Sequence, residues 1–202
     1  MFSKGNGKYR FRKDYTVVTF GLPPIVTCPG AGWCKLICYA GAGRLAMPQA
    51  QACQKKRFAL SKRDNFVNLA LADLGRFRKL DAIRLHDSGD IYNSVYLGKW
   101  WKIAQARPDV TFFGYTKMIP MIKNLREKLP SNLRLIFSMG GKWDNLIDVN
   151  RDNHSKVFRP GTDLGKYKIS PDNLPLSFHE NHNREAFYYH GSKHWETCMA
   201  GK

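Results

Sequence analysis

Acidic residues are scarce. The 202-residue chain carries 16 Asp and Glu against 33 Lys and Arg, a formal charge of +17. Such an imbalance raises self-repulsion and predicts a polyanionic partner, nucleic acid foremost. Long apolar runs are also lacking. The opening MFSKGNGKYRFRKD has no apolar stretch of the secretory kind, and no later run reaches the roughly 20 residues that cross a bilayer. The expectation is a cytoplasmic protein with no membrane partner. No repeat in sequence is evident beyond an alternation of strands and helices. At 43% hydrophobic and 13% aromatic the composition is that of a globular chain, long enough for one domain with a substantial core.

The positive charge is clustered. Residues 1–14 hold Lys4, Lys8, Arg10, Arg12 and Lys13 against Asp14 alone, and read as a basic flexible arm. Residues 15–202 read as a single α/β domain. Within it, residues 55–79 hold Lys55, Lys56, Arg57, Lys62, Arg63, Arg76, Arg78 and Lys79 against Asp64 and Asp73.

Three cysteines lie within eleven residues: Cys28, Cys34 and Cys38, in TCPGAGWCKLICYAGAG, a loop over about 27–43. Thiolates are soft ligands that suit iron–sulfur clusters, zinc or Cu(I). An intracellular chain keeps its thiols reduced, so clustered cysteines there point to metal or redox chemistry rather than to a disulfide. The C-x5-C-x3-C spacing is not a common zinc-ribbon or zinc-finger pattern. That favours a cluster, with zinc as the alternative. Gly30, Gly32, Gly41 and Gly43 are expected to let the loop curl through positive φ.

The remaining pattern alternates. Tyr15–Phe20 reads as a first strand, and Pro48 as the first turn of a helix running towards Phe58. Ser61-Lys62-Arg63-Asp64 resembles a capping box for a helix with Phe66, Leu69, Ala70, Leu74 and Phe77 inward. Strands follow at 82–85, 110–114 and 133–137. Between them lie helices with Tyr96, Leu97, Trp100, Trp101 and Ala104, then Ile122, Leu125 and Leu129, on their apolar faces. A fifth strand is placed near 156–159 and a last one near 186–189, with residues 160–185 as irregular loop. Strands alternating with helices imply βαβ units and a parallel sheet.

In such sheets ligands bind beyond the carboxyl ends of the strands. Each strand end here is polar or Gly-rich: the cysteine loop, His86-Asp87-Ser88-Gly89-Asp90, Tyr115-Thr116-Lys117, and Ser138-Met139-Gly140-Gly141. All four are expected on one rim. Asp87 and Asp90 have the alternative role of capping the next helix.

CPGAGWCKLICYA, RLHDSGDIY, WWKIA and FGYTK together resemble the phage-borne gene product 88 family, over about residues 15–141. That family resembles in turn a short relative of the radical S-adenosylmethionine (SAM) enzymes. The resemblance implies an incomplete (β/α) barrel with a [4Fe–4S] cluster held after strand one, and a host-cell cytoplasmic location. Cys28, Cys34 and Cys38 would hold three irons and leave the fourth for SAM. Ser88, Gly89 and Asp90 would stand where such enzymes receive the amino group of SAM, with Ser138 at the end of strand four as a further contact and Lys117 facing a carboxylate or phosphate. The usual C-x3-C-x2-C spacing is not reproduced, and Asp90 stands in place of the usual Glu. Cys53 and Cys198 compete for the fourth iron, the latter in His190-x3-His194-x3-Cys198. A fourth protein ligand would make this a non-enzymatic nucleic-acid-binding protein with a structural cluster or zinc.

Overall fold

A computed structural model describes residues 1–4, 15–169 and 184–188. Its centre is a run of parallel strands in chain order: β2 (Val17–Phe20), β3 (Ala82–Leu85), β4 (Thr111–Thr116), β5 (Leu133–Ser138) and β6 (His154–Phe158). Beyond β6 lie β8 (Arg184–Tyr188) and then β7 (Lys168–Ile169), both parallel. On the opposite edge β1 (Ser3–Lys4) pairs antiparallel with β2. The eight strands form one open sheet, consistent with the expected incomplete barrel. Strands β2 to β6 neighbour one another in chain order, and the helices between them bury their apolar residues in one core.

The register sorts the side chains. Val18, Ile83, Phe112 and Leu133 lie side by side across β2 to β5. Because strand residues alternate between faces, they form one surface with Phe20, Leu85 and Phe137, all in the main core. Helices α1 (Pro48–Lys62), α2 (Phe66–Leu74), α3 (Ser94–Ala106) and α4 (Ile119–Leu125) carry the rest of the chain between these strands. Trp100 on α3 is fully buried, with Phe20, Phe66, Tyr96 and Phe112 rings 5.2–6.3 Å away. The other sheet face has a small apolar group, Val17, Ala82 and Phe113. It also carries polar side chains in the same register, including Thr19, Arg84, Tyr115 and Glu185.

Several local expectations are corrected. Helix α1 runs on to Lys62, so Ser61 lies inside it. Its hydroxyl bonds the Phe58 carbonyl and Tyr92 Oη instead of capping α2, whose N-cap is Asn65. Asn93, not Asp87 or Asp90, caps α3 through Tyr96 N–H at 2.8 Å. Trp101 is only half-buried; Ile103 takes the core position instead. The first residues join the fold: Phe2 packs on Phe20, and the Met1 ammonium pairs with Asp73. Residues 5–14, with Lys8, Arg10, Arg12 and Lys13, lie outside the described residues.

His86 follows β3 with φ of 59°, a left-handed conformation that His tolerates better than most residues. It is buried, 2.9 Å from Tyr96 Oη, and burial pushes its pKa down to about 3. The folded protein therefore keeps His86 neutral where the unfolded chain takes up a proton. Its contribution is full above about pH 6.5 and is lost as pH falls towards 3. Replacing it by Asn, which accepts the same backbone, should flatten the decline of stability by about 1.4 kcal/mol per pH unit below 6.5. Urea unfolding at stepped pH reads this out; equal slopes would contradict it. Trp100→Ala should cost about 3–5 kcal/mol, and Trp101→Ala much less, in the same assay.

Candidate metal centre

The cysteine loop leaves β2 through a compact turn. Thr27 Oγ1 donates to the Pro23 carbonyl at 2.7 Å, and Cys28 N–H to Ile25 O at 3.1 Å. Ile25 holds φ of 65° and is half-exposed. A β-branched residue in that region is strained, and the bonds on either side hold it there.

The loop is then zipped onto the segment after β5. Gly140 O accepts from both Gly32 N–H (3.1 Å) and Cys34 N–H (3.2 Å), and Lys142 N–H donates to Gly30 O at 2.9 Å. Ala31 and Gly141 form an antiparallel bridge. Asp144 closes the second segment, its two carboxylate oxygens accepting from Gly140 and Gly141 N–H at 2.7 and 2.9 Å. The glycines act mainly through closeness. A Cβ at Gly30 would lie 2.5 Å from Lys117 O, and one at Gly140 would lie 3.1 Å from Cys34 Cβ. Of the four loop glycines singled out from sequence, Gly43 alone has positive φ, and Gly41 faces open space.

The next two strand ends brace this arrangement. Ser88 Oγ donates to Leu22 O, and Leu22 N–H to Ser88 O, both at 2.8 Å. Gly89, at φ of 81°, packs against Thr27 and Leu22. Asp90 is 3% exposed and accepts from Ile91 N–H at 2.6 Å and Lys117 N–H at 2.8 Å. Burial raises its pKa to about 6 against those hydrogen bonds. Lys117 Nζ donates to Ser138 O, Ser138 Oγ and Met139 O within 2.8–3.0 Å. The structure thus brings Lys117 and Ser138 together, and it sets Ser88, Gly89 and Asp90 beneath the cysteine loop. Their polar atoms are engaged within the protein.

Cys28, Cys34 and Cys38 are free thiols, each partly exposed. Burial pushes Cys28 up to about 12, with Asp90, Cys38 and Cys34 adding to the shift. Burial likewise raises Cys34, against the Lys117 ammonium and the Gly32 N–H, with Cys38 and Asp144 adding. Among the described residues no three His, Cys, Asp or Glu close around a single point as one ion requires. Cys53 is exposed on α1. Cys198, with His179, His182, His190 and His194, lies outside the described residues.

Sequence reasoning missed Asp144 and Tyr39. Asp144 had a legible signal, an acidic residue three places after Gly-Gly, where its side chain can collect loop amides. Tyr39 Oη donates to Asp87 O at 2.5 Å and ties the cysteine loop to the end of β3. Its neighbours in sequence gave no sign of that. Beside it, on the polar sheet face, the Arg84 guanidinium lies 5.7 Å from the Tyr115 ring, and Tyr115 Oη donates to Glu185 at 2.6 Å.

The model of the family described as Gene product 88 matches residues 1–194, and the chain belongs to that family. It is similar to the Gene 88 protein of Mycobacterium phage L5, with 26% identity over 136 residues, 62% of this chain and 56% of that protein. The chain thus spans little more than half the length of that curated relative. No solved structure matches. No helix among the described residues is long and apolar enough to cross a membrane.

The loop contact is testable without metal. Gly30→Ala should cost roughly 1–3 kcal/mol, because backbone must move to admit the methyl. Gly41→Ala, with nothing within 4 Å, should stay within about 0.5 kcal/mol of the parent. Urea midpoints compare them; equal costs would show that the two loops are not in contact.

Proposed function

We propose that this member of the gene product 88 family holds an iron–sulfur cluster, [4Fe–4S], on Cys28, Cys34 and Cys38. The observation that carries this reading is a loop of three free thiols, held at the carboxyl rim of the parallel sheet by the backbone bonds of Gly32 and Cys34 to Gly140. The donor set is entirely soft. A cluster gives each thiolate its own iron and so accepts a wider triangle of sulfurs than a single ion does. Three thiolates also repel one another unless a cation lies between them, which is the electrostatic service a metal supplies. When bound, a cluster of this kind supplies one-electron chemistry.

The resemblance to radical SAM enzymes makes SAM the first candidate for the remaining iron. A second reading has an observation of its own. Ser88, Asp90, Lys117 and Ser138 are bonded to the protein's own atoms, which suits a structural or redox cluster better than a SAM site. The partner in either case is a polyanion. Residues 15–63 contain seven Lys and Arg and no Asp or Glu, and this stretch carries both the cysteine loop and α1.

Protein prepared without oxygen should be brown, with broad visible absorption. Cys28→Ala, Cys34→Ala and Cys38→Ala should each lose most of that absorption. Colourless protein with one zinc per chain would overturn the cluster. Adding SAM to the reduced protein separates the two readings. A changed EPR spectrum and 5′-deoxyadenosine in the products favour the enzyme, and an unchanged spectrum with no product favours the structural cluster.

A further inference from the structure

The outer face of α1 is a strip of small residues bordered by cations. At 100° per residue, Lys55 and Lys62 fall along one edge and Ala52 and Ala59 along the middle. Lys56 marks the other edge, with Arg63 following at the C-terminal cap. All six are exposed. Lys55 and Lys62 are seven residues apart, about 10.5 Å along the axis. Arg57 does not belong to this surface. It is 7% exposed and donates to the Met1 carbonyl. The acid-free stretch 15–63 leaves the strip without a carboxylate of its own until Asp64.

Lys55 also borders a cavity of about 190 Å³ between α1 and the cysteine loop. Pro23, Pro24, Ala40, Gly41 and Leu45 form its walls, and Gln54 lines it too. Gln54 is 3% exposed, and its Nε2 has no hydrogen-bond partner among the described residues. A buried donor without an acceptor is costly, so an acceptor that enters the cavity is favoured. Gln51 lines it as well, but its Nε2 already donates to Ala46 O at 3.1 Å, and apolar walls with one amide donor left over suit a flat group with an accepting edge.

We infer that this face binds single-stranded nucleic acid, with phosphates along Lys55, Lys56, Lys62 and Arg63 and one unpaired base in the cavity, accepting from Gln54 Nε2. Ala52 and Ala59 let the sugar–phosphate chain lie close to the helix. A paired base cannot enter, because its faces are stacked and its edge is occupied. An acidic peptide matches the cations but brings no planar group with an accepting edge. Ala40 and Gly41 stand two and three residues after Cys38, so the bound base comes to rest beside the cysteine loop. The inference rests on the polyanion reading above and is independent of the metal.

Fluorescence anisotropy with a labelled strand of about 20 nucleotides, its abasic counterpart and the duplex tests it between about 50 and 200 mM salt. The single strand should bind at least tenfold more tightly than the duplex. The combined Lys55→Gln, Lys56→Gln, Lys62→Gln and Arg63→Gln variant, altered only at exposed positions, should lose at least tenfold. Its log–log salt slope should flatten by about 3, at roughly 0.7 per phosphate contact. Gln54→Leu should weaken the base-bearing strand severalfold and leave the abasic strand unchanged. No binding of any strand at low salt overturns both this inference and the polyanion reading. Binding that survives the four substitutions, or polyglutamate competing as well as unlabelled strand, overturns this surface alone.

Discussion

Gly140 O, accepting from Gly32 and Cys34 at once, is the contact on which the rest of the site depends. It ties a loop from the first parallel strand to a loop from the fourth, across the mouth of the sheet. The contact exists because glycine stands at both surfaces, so that two backbones meet where side chains would hold them apart. Asp144 then fixes the accepting segment from behind. Without this clasp Cys34 would belong to a loop with no bond to the far side of the rim.

The polar groups beneath the loop extend the same economy. Asp90 is buried, yet both of its oxygens are met by N–H groups, one of them from Lys117 on the neighbouring strand end. The Lys117 ammonium in turn reaches the end of β5. Three strand termini are thereby fixed relative to one another by charge-assisted bonds in a protected setting, where such bonds are stronger than in water. Tyr39 adds a fourth tie, from the loop to Asp87. The loop that carries the thiols thus stands on a braced base, which is what the proposed cluster needs if its ligands are to be in place before the metal arrives.

Much of this was legible in the sequence. Strand β3 is Ala82–Leu85, with the bounds read from the sequence, and the convergence of the cysteine loop, HDSGD, YTK and SMGG on one rim follows from the rule that parallel strands point the same way. What the sequence did not reveal is how polar residues divide between holding the loops and facing a ligand. Asp90 and Lys117 read as candidate ligand contacts because both types do that work elsewhere; only tertiary proximity turns them towards each other. Arg57 was hidden in the same way. Within KKR it looks like a third surface cation, and the helix period alone turns it inward to the Met1 carbonyl. Ser61 failed as a cap because α1 continues past it, helped by Tyr92 accepting or donating at its hydroxyl.

The central claim is a cluster on three cysteines, and Mössbauer spectroscopy of protein reconstituted with ⁵⁷Fe addresses it most directly. The account predicts a four-iron cluster signal in the intact chain that collapses when Cys34 is replaced by Ala. A spectrum of isolated high-spin iron, unchanged by that replacement, would contradict it.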